Sequence, residues 1–315
     1  MADSVPEVVR SPAAIGDHLP ATGVGTDDTP GASRLVLRRF LAHRIALVAL
    51  CVLLVMIVLS TFVDRYYEHS YSEITTELSE APSADHWFGT DELGKDVYAK
   101  TMRGAQKSLQ IGLVSALLAT VAGVIVGAVA GYYRGWIDAA LMRVTDLFLT
   151  LPALAVLLVL ANRYREESGN WFMIALVIAV FAWMYQARIT RSEILTLSQR
   201  EYVAAARAMG ASDARIIVRH LLPNALGSII VNATLTVATA ILVESSLSFL
   251  GFGVAPPDTS LGRLVEEGAQ ASRTRPWLFY PPGLWLVVLL LCINFVGDGL
   301  RDAFDPKHEG SGRRA

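Results

Sequence analysis

Apolar residues gather in blocks along the chain, and polar stretches separate the blocks. A helix needs about 20 consecutive apolar residues to cross the hydrocarbon core of a membrane. Six blocks reach or approach that length, at residues 45–63, 109–133, 144–161, 171–185, 225–250 and 283–296. The pattern therefore predicts an all-α membrane protein with six transmembrane helices. The third block contains Pro152, and Asn294 makes the end of the sixth block polar.

The segments between the blocks predict the domain organisation. Residues 1–33 are rich in Pro, Gly, Ala, Asp and Thr without apolar periodicity, which predicts a disordered cytoplasmic tail. The remaining units are a basic cluster with the first transmembrane helix at 34–63, an extracytoplasmic loop at 64–107, a core transmembrane domain at 108–300 and a cytoplasmic tail at 301–315.

Composition and charge agree with a membrane protein and predict its orientation. Hydrophobic residues make up 53% of the chain and charged residues 18%, which is unusual for a soluble domain. Lys and Arg concentrate in the cytoplasmic loops of membrane proteins. If the N-terminus is inside, 17 of the 27 Lys and Arg residues fall in inner segments and 10 in outer segments. The bias predicts a multi-pass protein with both termini in the cytoplasm.

Three glycines in the second block, Gly123, Gly127 and Gly131, follow one another at four-residue spacing. Glycines at i, i+4 and i+8 line one face of a helix and let another helix backbone approach closely. The spacing predicts tight helix packing along this face.

The segment 201–224, between the fourth and fifth blocks, predicts two short helices around a bend. Gly210 is a natural helix stop that is able to take a left-handed conformation. Ser212 can cap the second helix, with Asp213 well placed in its first turn. Pro223 is expected to end that helix, because proline cannot continue the hydrogen-bond ladder. The segment is predicted to form a compact helical elbow on the cytoplasmic face.

The elbow resembles the membrane subunits of binding-protein-dependent ABC importers. Their motif reads Glu-Ala-Ala, three residues, Gly, nine residues, Ile, one residue and Leu-Pro. Here residues 204–206, Gly210, His220, Leu222 and Pro223 occupy those places, with alanine for the Glu and histidine for the Ile. The amino-acid sequence around these positions is typical of the dipeptide, oligopeptide and nickel branch. Segments at 86–97, 247–262 and 297–306 resemble the same branch, in particular the C-type permease of actinobacterial oligopeptide importers.

The resemblance covers residues 35–307 and implies the type I ABC importer permease fold, with coupling helices at 201–223. In that family the elbow sits in a groove on a cytoplasmic ATPase subunit. The residues that the resemblance assigns to ATPase coupling are Glu201, Ala205, Ala206, Gly210, Ala211, Arg219, His220, Leu222, Pro223 and Asn224.

The resemblance also implies a function and a set of partners. The chain is expected to be a non-catalytic permease of the bacterial cytoplasmic membrane that imports oligopeptides or dipeptides. The partners are a second, homologous permease, one or two ATPase subunits and an extracytoplasmic peptide-binding protein, in a lipid bilayer and without nucleic acid. ATP and Mg are expected on the ATPases and no cofactor or metal on this chain. Import of nickel or another small solute, a proton-driven secondary transporter and a non-transporting scaffold are the alternatives.

One segment comes close to a nucleotide-binding motif. Residues 89–96 match a phosphate-binding P-loop except at Asp96, where the motif needs the hydroxyl of Ser or Thr to reach magnesium. The carboxylate supplies no such hydroxyl and repels phosphate. ATP binding by this segment is not expected.

Polar residues inside apolar blocks are costly and often functional. Four of them lie on roughly one face of the fifth helix and are assigned either to the translocation path or to hydrogen bonds between helices: Asn232, Thr236, Thr239 and Ser246. Asp146 and Asn294 are candidates for the path or for packing. Glu244 points away from that face and is expected near the outer interface.

Overall fold

The structure is a computed structural model of the chain, and it describes residues 32–163 and 170–304. Regular secondary structure in these residues is helical, apart from one isolated antiparallel bridge between Thr90 and Asp96. Most of the predicted N-terminal tail and residues 305–315 of the predicted C-terminal tail lie outside the described residues.

Twelve helices follow one another along the described residues, and a π turn at Ile217–Leu221 separates α9 from α10. They are α1 (Ala32–Ala42), α2 (Arg44–Thr61), α3 (Val63–Tyr66), α4 (Val97–Tyr133), α5 (Gly135–Thr150), α6 (Ala153–Arg163), α7 (Trp171–Leu197), α8 (Glu201–Ala208), α9 (Asp213–Ile216), α10 (Leu222–Phe249), α11 (Leu261–Ala269) and α12 (Tyr280–Phe304).

Five helical stretches of the described chain are long and apolar enough to cross a membrane: Arg44–Thr61, Val97–Tyr133, Trp171–Leu197, Asp213–Phe249 and Pro276–Phe304. The pair α5 and α6 provides a sixth candidate but bends by 83° at its break. The predicted third span, 144–161, is therefore not one straight helix. Leu151 has extended backbone angles because a residue before proline avoids the helical region, and Pro152 then restarts the chain.

The helices share two ends. At one end, the last turn of α4 meets α9 through Tyr132 and Asp213, and Phe304 of α12 lies beside Gly227 near the start of α10. We call this the elbow end. At the opposite end, the loop end, the Tyr66 hydroxyl lies 2.9 Å from that of Tyr98, and Lys107 lies over the ring of Trp171.

Several helices begin earlier or end later than the apolar blocks predicted, and α4 and α7 differ most. Helix α4 begins at Val97, inside the predicted loop of 64–107, because the side chain of Asp96 caps it by accepting a hydrogen bond from the backbone N–H of Ala99 at 2.7 Å. Helix α7 continues to Leu197, whereas the apolar block ends at residue 185. Both extensions consist of polar helical turns, which apolar block length does not detect.

The predicted glycine face of α4 packs against α7, which confirms the tight contact. A Cβ atom added at Gly123 would lie 2.5 Å from the Cβ atom of Gln186, and one at Gly127 would overlap the carbonyl oxygen of Ala187. One at Gly131 would lie 2.8 Å from the carbonyl oxygen of Arg191. The two backbones thus touch over three successive turns of α4.

We predict that Gly127→Ala destabilises the protein although alanine is the better helix former. Helix propensity favours the change by about 1 kcal/mol, but overpacking a tight contact costs about 1–3 kcal/mol. The matched control is Gly283→Ala, since an added Cβ there meets only Val265, at 3.8 Å. Thermal unfolding of the purified proteins in detergent measures both effects. Equal unfolding temperatures for the two variants would contradict the close contact.

Candidate functional site

The elbow consists of α8 and α9 joined through Gly210. The Gly210 N–H donates to the carbonyl of Arg207 at 3.0 Å, and the Ala211 N–H donates to the carbonyl of Ala206 at 3.1 Å. These two bonds form a Schellman motif, which needs a left-handed residue after the helix. Gly210 has a φ of +79°, as predicted, and an added Cβ atom would meet no heavy atom within 4 Å. The bend thus requires the backbone freedom of glycine.

The second arm of the elbow does not end at Pro223, so that prediction was wrong. The chain passes from α9 through the π turn into α10, with Pro223 in the first turn of α10. Proline is tolerated in a first turn, and a π turn widens the backbone ladder before it. Ser212 occupies the capping position of α9 but makes no side-chain cap. The second arm is therefore the start of the long helical stretch Asp213–Phe249.

The elbow has an anchored inner side. Val203, Ala206, Ile216 and Leu221 are buried and pack with Ile194 of α7. This cluster includes residues of both arms, so neither arm is free to swing independently of the helix bundle.

The outer side of the elbow carries exposed apolar side chains. Met209, beside the bend, is 81% exposed, and Val218 is 65% exposed. The sequence analysis did not single out Met209, because a methionine in a short helix gives no signal until the burial of its neighbours is known. The elbow therefore presents an apolar tip on a fixed base.

The ten residues assigned to coupling differ in their exposure to solvent. The exposed ones are Glu201, Ala205, Gly210, Arg219, Pro223 and Asn224. Ala211, His220 and Leu222 are half-buried, and Ala206 is buried in the anchoring cluster. The Asn224 side chain donates to the carbonyl of His220 at 2.6 Å, beside the π turn. Ala206 thus supports the elbow from within, whereas the exposed set is open to a partner.

Tyr132, in the last turn of α4, contacts both arms of the elbow. Its hydroxyl donates to Oδ1 of Asp213 at 2.6 Å and accepts from Nη2 of Arg207 at 3.3 Å. The Arg207 guanidinium also lies 5.7 Å from the centre of the tyrosine ring. The sequence analysis missed this contact because Tyr132 and Asp213 are far apart in the chain and no local spacing links them.

The polar residues of α10, which formed the predicted fifth span, occupy different environments. Asn232 donates to Oε1 of Gln186 in α7 at 2.5 Å, a hydrogen bond between helices. Thr236, Thr239 and Ser246 each donate to the carbonyl four residues earlier in their own helix. Thr239 is exposed on the described surface and Ser246 is half-buried. Asn232 joins two helices, and the assignment of these residues to a path stays a prediction.

Three further polar residues inside the apolar blocks also differ in their exposure and hydrogen bonds. Asp146 of α5 pairs with Arg188 of α7 at 2.5 Å, and both side chains are about half exposed. Asn294 is exposed and donates to the carbonyl of Leu290 at 2.8 Å. Glu244 lies in the half of α10 toward the loop end but is fully buried, where it accepts hydrogen bonds from Ser108 and Ser248.

A charged clamp holds the loop after α10 at the loop end. Asp258 accepts from Arg103 at 2.7 Å and pairs with Lys107 at 2.9 Å. Burial raises the pKa of this carboxyl, but hydrogen bonds from Lys107 and Arg103 outweigh burial and hold the pKa below its ordinary value. Lys107 is nearly buried, so the carboxylate neutralises a cation that water does not reach freely.

Comparison with known families identifies the family to which the chain belongs. Residues 123–309, which include the elbow, match the family model described as binding-protein-dependent transport system inner membrane component. The chain belongs to that family of membrane permeases. Residues 32–82 of the permease also match the model of the N-terminal TM domain of oligopeptide transport permease C.

Individual relatives cover most of the permease. It is 43% identical to the oligopeptide transport system permease protein OppC of Mycobacterium tuberculosis, over 88% of this chain and 96% of that one. It is 39% identical to the protein of the same name from Bacillus subtilis, over 85% of this chain and 88% of that one. The permease is thus a multi-pass protein of the inner membrane.

A solved structure shares the fold. A chain of the MetNI methionine ABC transporter, in an inward-facing conformation, superposes with a TM-score of 0.53 at 23% identity and covers 65% of this chain and 97% of that one. The permease therefore has the fold of a type I ABC importer permease, as the resemblance predicted.

We predict that Asp258→Asn destabilises the permease at neutral pH by about 1–3 kcal/mol, because it leaves Lys107 nearly buried without a carboxylate. A lowered carboxyl pKa stabilises the folded state above the unfolded pKa of about 3.9, and this stabilisation is lost as pH falls through the folded pKa. The gap in unfolding temperature between wild type and variant should stay constant from about pH 8 to pH 5 and narrow below about pH 4.

The control for this experiment is Glu68→Gln, which neutralises an exposed carboxylate in the predicted extracytoplasmic loop. It should change the unfolding temperature little at any pH. A gap for Asp258→Asn that stays constant down to pH 3 would contradict the clamp.

Proposed function

We propose that the permease is one of two membrane subunits of an ATP-driven importer that carries oligopeptides or dipeptides into the cell. The relatives named for oligopeptide transport support the substrate, because they are similar over most of their length. On this proposal the chain is non-catalytic and binds no cofactor. Its partners are a homologous permease, one or two ATPases that bind ATP and Mg, and an extracytoplasmic peptide-binding protein.

The observation that carries the proposal is the anchored elbow with an apolar tip. Met209 is 81% exposed at the polar end of a membrane protein, where water would otherwise cover it. An exposed apolar side chain on a rigid base suits a pocket on a partner protein. The base is rigid because both arms share the buried cluster with α7. Such a tip can transmit a partner's motion to the helices, which neither a scaffold nor a proton-driven carrier needs.

The second permease subunit is proposed to cover the face that carries Thr239, Ser246 and Asn294. Asn294 makes one hydrogen bond, to the carbonyl of Leu290, and is otherwise exposed. In lipid the rest of that amide would lack partners, which is costly. A wet path between two permeases would satisfy it. Asn232, Thr236 and Asp146 are kept as candidates for the same path.

The elbow end is proposed to face the cytoplasm. Cytoplasmic ATPases must reach the elbow, and the surplus of Lys and Arg in the inner segments supports the same orientation. Both described chain ends lie with the elbow, since Gly299 and Phe40 are in contact and Phe304 lies beside Gly227. On this proposal both termini are cytoplasmic, and α11 with the Asp258 clamp faces the binding protein.

We predict that Gly210→Glu removes the ATPases from the purified complex, or abolishes the stimulation of ATP hydrolysis by loaded binding protein. Replacing glycine by a residue with a Cβ atom at a positive φ costs about 1 kcal/mol. The new side chain would also push the elbow off its partner. Copurification and ATPase assays measure the two effects.

Gly251→Glu is the matched control. Gly251 has a φ of +82°, ends α10 with the same pair of hydrogen bonds, and leaves an added Cβ atom equally open. It lies at the loop end, so its variant should assemble normally with the ATPases. If Gly210→Glu copurified with the ATPases as Gly251→Glu does and also kept wild-type stimulation of hydrolysis, the elbow would not be a coupling element, and the proton-driven and scaffold alternatives would reopen.

For the substrate, we predict that cells lacking the permease resist toxic oligopeptide analogues and fail to grow on peptides as sole nitrogen source. Uptake of labelled peptide and of nickel in the same cells separates the two solutes. Normal peptide uptake together with lost nickel uptake would reject the peptide substrate and leave the importer assignment intact. Complementation with the wild-type permease is the control.

A further inference from the structure

We infer that Tyr132 is a positioning residue that makes the elbow and α4 move as one body. The inference rests on the proposed function, because it needs an ATPase that moves the elbow. Neither the elbow motif nor the ten residues assigned to coupling include Tyr132.

The first argument is that one phenol joins both arms of the elbow. A tyrosine hydroxyl can donate one hydrogen bond and accept others. Here it donates to Asp213 in α9 and accepts from Arg207 in α8. The two arms are separated by the bend at Gly210, so a displacement of the tip reaches Tyr132 from either side.

The second argument is the contrast between Tyr132 and its neighbour. Tyr132 is 8% exposed and packs in the elbow cluster with Val203 and Ile216, whereas Tyr133 is 47% exposed. The remaining elbow contacts in the cluster are apolar; they hold the arms against the bundle, but they have no preferred direction and do not specify a register. The hydroxyl contact is directional and fixes the register between elbow and helix.

The third argument is the reach of α4. Its 37 residues span about 55 Å at a rise of about 1.5 Å per residue. At its far end Lys100 pairs with Glu267 of α11 at 3.1 Å, and Arg103 and Lys107 hold Asp258. A shift of Tyr132 along α4 would therefore reach the elements that close the loop end. Motion from an ATPase would enter α4 at Tyr132 and leave it at these ion pairs.

The test uses the complete importer in proteoliposomes, with both permeases, the ATPases and peptide-loaded binding protein. Tyr132→Phe keeps the ring and removes both hydrogen bonds of the hydroxyl. Stimulated ATP hydrolysis should stay within about twofold of wild type, while labelled peptide taken up per ATP should fall roughly threefold to tenfold, the range expected when the net stabilisation by the hydroxyl's hydrogen bonds is lost. Tyr133→Phe, which removes an exposed hydroxyl, should leave both values unchanged.

Asp213→Ala provides a second variant, since Asp213 is exposed and its loss leaves the buried cluster intact. It should lower peptide per ATP in the same direction as Tyr132→Phe does, and the double variant should lose no more than Tyr132→Phe alone, because the Asp213 contact is already absent without the hydroxyl. If Tyr132→Phe fails to assemble, Asp213→Ala decides.

Three outcomes overturn the inference. They are an unchanged peptide-to-ATP ratio, a parallel loss of hydrolysis and uptake, and additive losses in the double variant. These differ from failure of the proposed function, in which the wild-type complex shows no ATP-driven uptake and the inference falls with it.

Discussion

The close approach of α4 and α7 is the constraint on which the rest of the structure depends. Gly123, Gly127 and Gly131 place no side chain of α4 between the two helices, so the backbone of α4 lies directly against carbonyl oxygens and Cβ atoms of α7. A membrane offers little hydrophobic drive for helix association, since lipid tails are as apolar as leucine. Dispersion contact over three turns supplies the attraction instead. The pair forms the spine against which α10 and the elbow pack.

Two groups of polar side chains inside this bundle are satisfied by residues of other helices. Gln186 receives a hydrogen bond from Asn232 and donates to Thr190 at 3.1 Å, so one amide pair joins α7 to α10 beside the glycine face. Glu244 is surrounded by serine hydroxyls that join α4, α10 and the start of α11. Unsatisfied polar groups are costly in hydrocarbon. These contacts therefore determine which helices lie beside α4 and α7. Packing of small residues alone does not determine this.

The apolar pattern predicted five of the six crossings, the glycine face and the bend at Gly210, because each depends on residues close together in the chain. It failed where polar turns extend a helix, as at Val97, and where a proline lies within a helix start, as at Pro223. The π turn before Pro223 gives no signal in composition or period. The predicted third span bends because of Pro152. The proline was visible in the sequence, but the length of the apolar block gave no indication of a bend.

The parts of the site that the sequence could not reveal are those made by residues far apart in the chain. The elbow motif identified the arms of the elbow, yet nothing in the spacing connects Asp213 to Tyr132 or places Met209 outward. Those two features together explain how a short segment can act on a whole bundle. The exposed apolar tip offers a partner a surface to bind, and the buried base fixes the orientation of that tip relative to the helices. A flexible loop with the same tip would absorb the partner's motion, since free backbone dihedrals take up displacement at little energetic cost. On the proposed function, the Schellman bend and the phenol contact would therefore direct the motion of a partner to α4.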